Sequence, residues 1–223
     1  MRLATAAGIA ATLLTIACGA EGADADARRI ERVVLTERWD MGYGGMMVLE
    51  YRPVVLYADG TLTYNRTLAV AAKPSIDGHW RLQGGKVSLM SLDGKPRGQV
   101  FVHQAGRPAK PGQKLSGRFS SFSGLGGGGT GTTSVVAWSN YDFAADGTVR
   151  FSGGAGASTP KNGSEKASVV TRSSTKNTAR YSLDGHTITF TFADGSTQRL
   201  LFYFMGSKED MIVVGSRTLS NKK

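Results

Sequence analysis

Three histidines, one cysteine and a scatter of serines and carboxylates are the residues of this 223-residue chain that could do chemistry. A metal site would draw on the histidines. His79 stands beside Trp80, His103 follows Phe101-Val102, and His186 closes Asp184-Gly185-His186. No two of them lie at ligand spacing, and Cys18 alone could not complete a thiolate set. No metal or other cofactor is therefore expected. Covalent catalysis would need a serine in a strained Gly-x-Ser-x-Gly turn, and the chain has none. The run Ser123-Gly124-Leu125 through Gly126 to Gly131 is glycine-rich but continues into Thr132-Thr133-Ser134-Val135-Val136, which reads as strand. A phosphate loop would end in Gly-Lys-Ser or Gly-Lys-Thr and open a helix. No catalytic residues are assigned, and the enzyme question leans towards no. One opening remains: carboxylate pairs of the glycosidase kind need not be close in sequence.

The aspartates have a more local use. Asp59-Gly60, Asp93-Gly94, Asp146-Gly147, Asp184-Gly185 and Asp194-Gly195 each separate short runs of Val, Ile, Thr, Tyr and Phe. Asp-Gly suits a two-residue hairpin turn, because glycine takes positive φ freely and aspartate tolerates it. Asp59-Gly60-Thr61-Leu62-Thr63-Tyr64 and Asp146-Gly147-Thr148-Val149-Arg150-Phe151 are one hairpin written twice, 87 residues apart. The repetition extends in both directions. Leu35 to Trp39 matches Leu115 to Phe119 at an offset of 80, and His79 to His103 lies ungapped on Arg180 to Phe204 at an offset of 101. In that last stretch Leu82, Gly84, Asp93, Gly94 and Phe101 meet identical residues. The copies differ by two insertions, near Gly124 to Thr133 and Gly153 to Asn177, both rich in Gly, Ser and Thr. Loops lengthen in this way at small entropic cost. Self-similarity on this scale is read as architecture before any local propensity.

Alternation shows the faces. Leu62 and Tyr64 oppose Thr61 and Thr63, and Val149 and Phe151 oppose Thr148 and Arg150. Leu200 to Phe204 is apolar on both faces, which fits either a strand covered on both sides or one whose second face lines a cavity. The expected fold is all-β: an antiparallel barrel or strongly curved sandwich of two fused repeats and about ten to twelve strands, because closure removes exposed edges. Repeat one spans 31–106 and repeat two 113–220, within a single domain covering 31–220. Neither copy is large enough to bury much apolar surface alone, so both are expected to share one interior.

Residues 1–20 read as an export signal, with Arg2 ahead of an apolar run from Leu3 to Ala17 that is short for a membrane span. Residues 21–30 form a linker. Cys18 ends the run and is the candidate acylated residue of a lipoprotein. Ordinary cleavage after Ala20, or within Ala23 to Ala27, is the alternative. The expected location is the periplasm, or a membrane facing it or the cell surface, with membrane contact only through Cys18. No internal disulfide is then available. From Glu21 onward 26 Lys and Arg face 17 Asp and Glu, a net charge of +9. In an exported chain that excess points to an anionic envelope surface as partner and away from nucleic acid, or to nothing beyond solubility. Six basic residues lie between Arg150 and Arg180, where Ser152 to Asn177 reads as a mobile polar loop.

Asp59-Gly60-Thr61 through Trp80 to Asp93-Gly94, repeated as Asp146-Gly147-Thr148 through Tyr181 to Asp194-Gly195, resembles the lipocalin-like β-barrel domains of uncharacterised exported bacterial proteins. The chain departs from true lipocalins in that the opening Gly-x-Trp appears only as Glu37-Arg38-Trp39 and Gly117-Arg118-Phe119, and in its duplication. What the resemblance implies is a barrel that binds a small, largely apolar molecule; the expected function is non-catalytic holding of a small apolar or amphipathic ligand by a monomer, with an envelope-associated hydrolase or a structural, partner-binding lipoprotein as alternatives. The residues proposed to line the barrel are Trp39, Phe119, Trp138 and Tyr203, with Tyr43 and Met46 from a Gly-rich flap at the mouth. The flap of repeat one is Asp40 to Met47, and that of repeat two is Ser123 to Gly131.

Overall fold

Short alternating runs with glycine at the corners give antiparallel strands throughout, and among the described residues there is no helix. The structure is a computed structural model that describes residues 28–41, 46–101, 105–125, 134–160, 166–173 and 178–221. Cys18 with the whole of the expected export signal, Tyr43, His103, residues 42–45 and residues 126–133 lie outside the described residues.

Repeat one supplies β1 (Ile30–Met41), β2 (Met47–Tyr57), β3 (Thr61–Thr63), β4 (Gly78–Gln83), β5 (Lys86–Ser91), β6 (Pro96–Phe101) and β7 (Ala105–Gly106). Repeat two supplies β8 (Gly117–Leu125), β9 (Ser134–Phe143), β10 (Thr148–Pro160), β11 (Lys166–Ser173), β12 (Thr178–Asp184), β13 (Thr187–Phe192), β14 (Thr197–Phe204), β15 (Met211–Val214) and β16 (Arg217–Ser220). The first sheet runs β6-β5-β4-β3-β2-β1-β7. The second runs β11-β10-β12-β13-β14-β15-β16-β8-β9, with β9 also paired to β10. That extra pairing closes eight strands into a barrel.

Two fused copies of one meander are visible in the strand order. β1 to β6 are neighbours in the same succession as β8, β9, β10, β12, β13 and β14. Register agrees as well: His79 faces Met90 and Leu82 faces Val87, as Arg180 faces Thr191 and Leu183 faces Ile188. Gly60 N donates to Tyr57 O at 3.1 Å and Gly147 N to Ala144 O at 3.1 Å; Trp80 N donates to Gly60 O at 2.9 Å and Tyr181 N to Gly147 O at 2.8 Å.

The copies differ in how they end. After β14 the chain turns back through β15 and β16, and Ser220 pairs with Ser120 to bring β16 against β8. After β6 the chain instead leaves to form β7, which adds to the outer side of β1 through Val33 and Val34. Repeat one therefore remains a curled half-barrel.

Several expectations change in detail. The Asp-Gly corners are not two-residue turns. The bond from Gly60 N to Tyr57 O encloses Ala58 and Asp59, and Gly60 follows at φ 82°. This is a four-residue turn with glycine in the left-handed position after it. Asp59 Oδ1 accepts from Thr61 N at 2.9 Å and from Thr61 Oγ1 at 2.6 Å, and Asp146 does the same with Thr148 at 2.8 and 2.7 Å. At the fifth corner the two-residue turn falls on Gly185-His186, between paired Asp184 and Thr187. The described residues between Ser152 and Asn177 are not a loop. The far half of β10 pairs with β11 from Gly153 with Ser173 to Pro160 with Lys166. Alternating small and β-branched residues are compatible with a pleated ribbon despite the low apolar content. With β11 and β7 the described residues form sixteen strands, more than the ten to twelve expected.

The copies do not share one interior either. Phe119, Tyr141, Phe143, Tyr181, Phe190, Phe202 and Phe204 are among the residues that fill the barrel. Val34, Val54, Leu56, Leu62, Val87 and Leu89 form the half-barrel core. A third cluster, with Val33, Val55 and Tyr57 facing Leu201, Tyr203 and Val213, joins the outer faces of the two sheets. The physical reason lies in β2 and β14, which are apolar on both faces. Phe202 and Phe204 point into the barrel while Leu201 and Tyr203 point at repeat one. Leu200 to Phe204 is thus a strand covered on both sides.

Candidate functional site

Strand alternation aims a second set of large residues at one end of the barrel. Phe151 on β10, Phe192 on β13 and Leu200 on β14 are only partly buried and pack on the end of the barrel core. With Tyr141, Phe190 and Val214 they line a cavity of about 370 Å³, whose rim carries Thr67, Gln198, Gly215, Ser216 and Arg217. The rings meet edge to face: Phe151 lies 5.1 Å from Tyr141 at 82° and 5.2 Å from Phe190 at 81°. Such pairs hold each other at fixed angles and leave an apolar wall.

One charge overlooks that wall. Arg217 shares its face of β16 with Leu219, which is fully buried in the barrel. Its Nη1 donates to Ser139 Oγ at 2.8 Å across the mouth. Among the described residues Arg217 has no carboxylate partner, and none of the lining residues is acidic.

Repeat one supplies the lid segment. The stretch from Tyr64 to Asp77 leaves β3 and brings Thr67 to the cavity rim. It is tied at both ends and in the middle. Asp77 Oδ2 accepts from Thr63 Oγ1 at 2.9 Å and Tyr64 N at 2.8 Å, Asn65 Oδ1 accepts from Thr67 N at 3.1 Å, and Tyr57 OH donates to Ala69 O at 3.0 Å. Burial pushes the Tyr57 phenol up to about 12, and does the same for Tyr203.

Of the six residues proposed from sequence, the five that are described are not brought together. Phe119 is 2% exposed inside the barrel, and Tyr203 is 2% exposed in the cluster between the sheets. Trp138 is half-buried on β9 opposite Phe122. Trp39 and Met46 are 63% and 71% exposed at the end of the β1–β2 hairpin. Tyr43 falls outside the described residues. What sequence reasoning missed is the set Phe151, Phe190, Phe192, Leu200 and Arg217. A signal for it exists: Arg217 and Leu219 have the same parity in the closing strand, so one inward-facing position is a cation.

Two of the three histidines are described. His186 is buried, with Nδ1 3.3 Å from Phe202 O, and burial holds it below its ordinary value. His79 is exposed. Among the described residues no group of His, Cys, Asp or Glu is placed to hold a metal ion. No family model, curated protein or solved structure matches this chain.

Proposed function

We propose that this is a non-catalytic exported binding protein that holds a small amphipathic molecule in the mouth of the repeat-two barrel. The observation that carries the reading is the combination of an aromatic cavity of about 370 Å³ with a guanidinium at its rim that is bonded to a neutral hydroxyl and has no carboxylate partner among the described residues. That volume is within the range of small-molecule sites, which are mostly apolar with a few polar groups to orient the ligand. An apolar tail against Phe151, Phe190 and Phe192 would shed water, and an anionic head would replace the neutral hydroxyl now facing Arg217. The likeness to lipocalin-like barrels supports the same ligand class. Export and attachment through Cys18 are supported by the apolar run from Leu3 to Ala17.

Calorimetric titration with octanoate and octanol tests the proposal. Both should bind, octanoate about tenfold more tightly, as one charge-assisted hydrogen bond implies. Phe192→Trp, which fills the cavity, should weaken both, and Arg217→Gln should weaken octanoate alone. Failure of both probes to bind would end the reading.

A further inference from the structure

A second concave site lies in repeat one, away from the barrel mouth. β3 is only three residues long and pairs with β2 only through Val55 and Leu56. The part of β2 from Tyr51 to Pro53 therefore has no strand on that side, and a cleft of about 990 Å³ opens there. Pro53 and Leu89, both buried, contribute apolar lining. Tyr51 and Tyr64 stand beside them, 53% and 37% exposed, and Thr36, Glu37, Arg52, Arg66 and Arg97 complete the lining.

Three guanidiniums against one carboxylate give the cleft a positive balance. Arg52 is engaged by Asp40 at 3.1 Å, whereas Arg66 and Arg97 have no ion-pair partner among the described residues. The backbone that carries Tyr64 and leads into Arg66 is also held in place. Both residues sit on the segment that Asp77 ties to Thr63 and Tyr64, with Asn65 N donating to Thr63 Oγ1 at 3.1 Å. Little backbone ordering is left for a ligand to impose there.

We propose that this cleft binds an acidic polysaccharide, a chain of uronic-acid sugars whose carboxylates meet Arg66 and Arg97 while sugar faces rest on Tyr51 and Tyr64. Guanidinium forks match planar carboxylates with two parallel hydrogen bonds, and tyrosine presents an apolar ring with a polar tip. The shape favours a flexible chain over a membrane, because a flat bilayer surface does not reach into a concavity. The edge of β2 is also a poor template for an added peptide strand, since Pro53 has no N–H to donate. The proposal does not depend on the barrel mouth.

The test is calorimetric titration of the full chain with oligogalacturonate, a neutral cello-oligosaccharide and a poly-glutamate peptide. Oligogalacturonate should bind at least about tenfold more tightly than either other probe. The double variant Arg66→Gln, Arg97→Gln should lose about tenfold or more. Lys110→Gln with Lys208→Gln removes the same net charge elsewhere on the surface and should change affinity by no more than about twofold, because exposed charges beyond a Debye length are screened. The proposal is overturned if oligogalacturonate does not bind, if the peptide binds as tightly, or if the two double variants weaken binding equally.

Discussion

Trp80 and Tyr181 occupy the same place in the two copies and reach the same backbone atom. Trp80 Nε1 donates to Tyr57 O at 2.8 Å, and Tyr181 OH lies 3.3 Å from the equivalent Ala144 O. Tyr181 does more, accepting from Leu115 N at 2.8 Å and donating to Leu115 O at 2.9 Å. Tyr181→Phe strands both buried backbone groups and should cost about 2–3 kcal/mol in urea unfolding, against about 1 kcal/mol for Trp80→Phe. Titration gives a second check. Tyr57 and Tyr203 should be the last phenols to ionise, near 12. Their folded values are raised, so the stability they contribute is intact below the ordinary value of 10.0 and is lost as pH climbs from there towards 12. His186 works in the opposite sense. Its folded value is lowered by burial, so stability is full above 6.5 and declines as pH falls below it. His186→Gln should flatten unfolding free energy against pH in that acid limb. At this scale the sequence was legible where parity mattered, as with Val149 and Phe151, and parity also puts Arg217 on the face of Leu219; what it does not show is that this face ends at a cavity mouth, because a cation at a strand end has the same pattern on an open surface.

Elements carry the difference between the copies. The linker from β7 to β8 is pinned to β14: Arg107 N donates to Phe204 O at 3.0 Å, and its guanidinium lies 4.8 Å from the Phe204 ring centre. Next to it, Gly106 admits no side chain. A Cβ there would meet the Tyr203 ring at 2.5 Å, against backbone that cannot move without breaking the β1–β7 pairs. Gly106→Ala should therefore destabilise by about 1–3 kcal/mol, read from the thermal midpoint. The β10–β11 hairpin behaves differently, since beyond Ser152 it pairs only with β9 and itself. Replacing the chain between Ala157 and Val169 by a short turn should shift the midpoint little. The five Asp-Gly corners and the meander were readable because turn chemistry is local. The hairpin was not, because Gly, Ser and Ala runs pair or stay loose according to what lies beside them.

For the whole molecule, the joint between the copies decides stability. Leu201, Tyr203 and Val213 cover one face of the barrel wall and pack with Val33, Val55, Tyr57 and Ala69 of repeat one, with Ile30, Leu35 and Ile76 against them. Residues 113–220 produced alone would expose that face and should associate or precipitate, whereas the full chain should sediment as a monomer. The duplication announced two similar meanders but not which would close, since closure depends on fifteen or so residues after Phe204 that have no counterpart in repeat one. The proposed ligand site is a consequence of that closure: among the described residues only the closed copy has such a mouth, and Thr67 of repeat one reaches its rim. Chemical-shift mapping of the full chain titrated with octanoate tests this most directly. The account predicts saturable shifts at Phe151, Phe192, Leu200, Val214 and the Arg217 side chain, with Trp39 and Met46 unmoved. Saturable shifts confined to the exposed β1–β2 hairpin, or no shifts at the mouth at any ligand concentration, would contradict it.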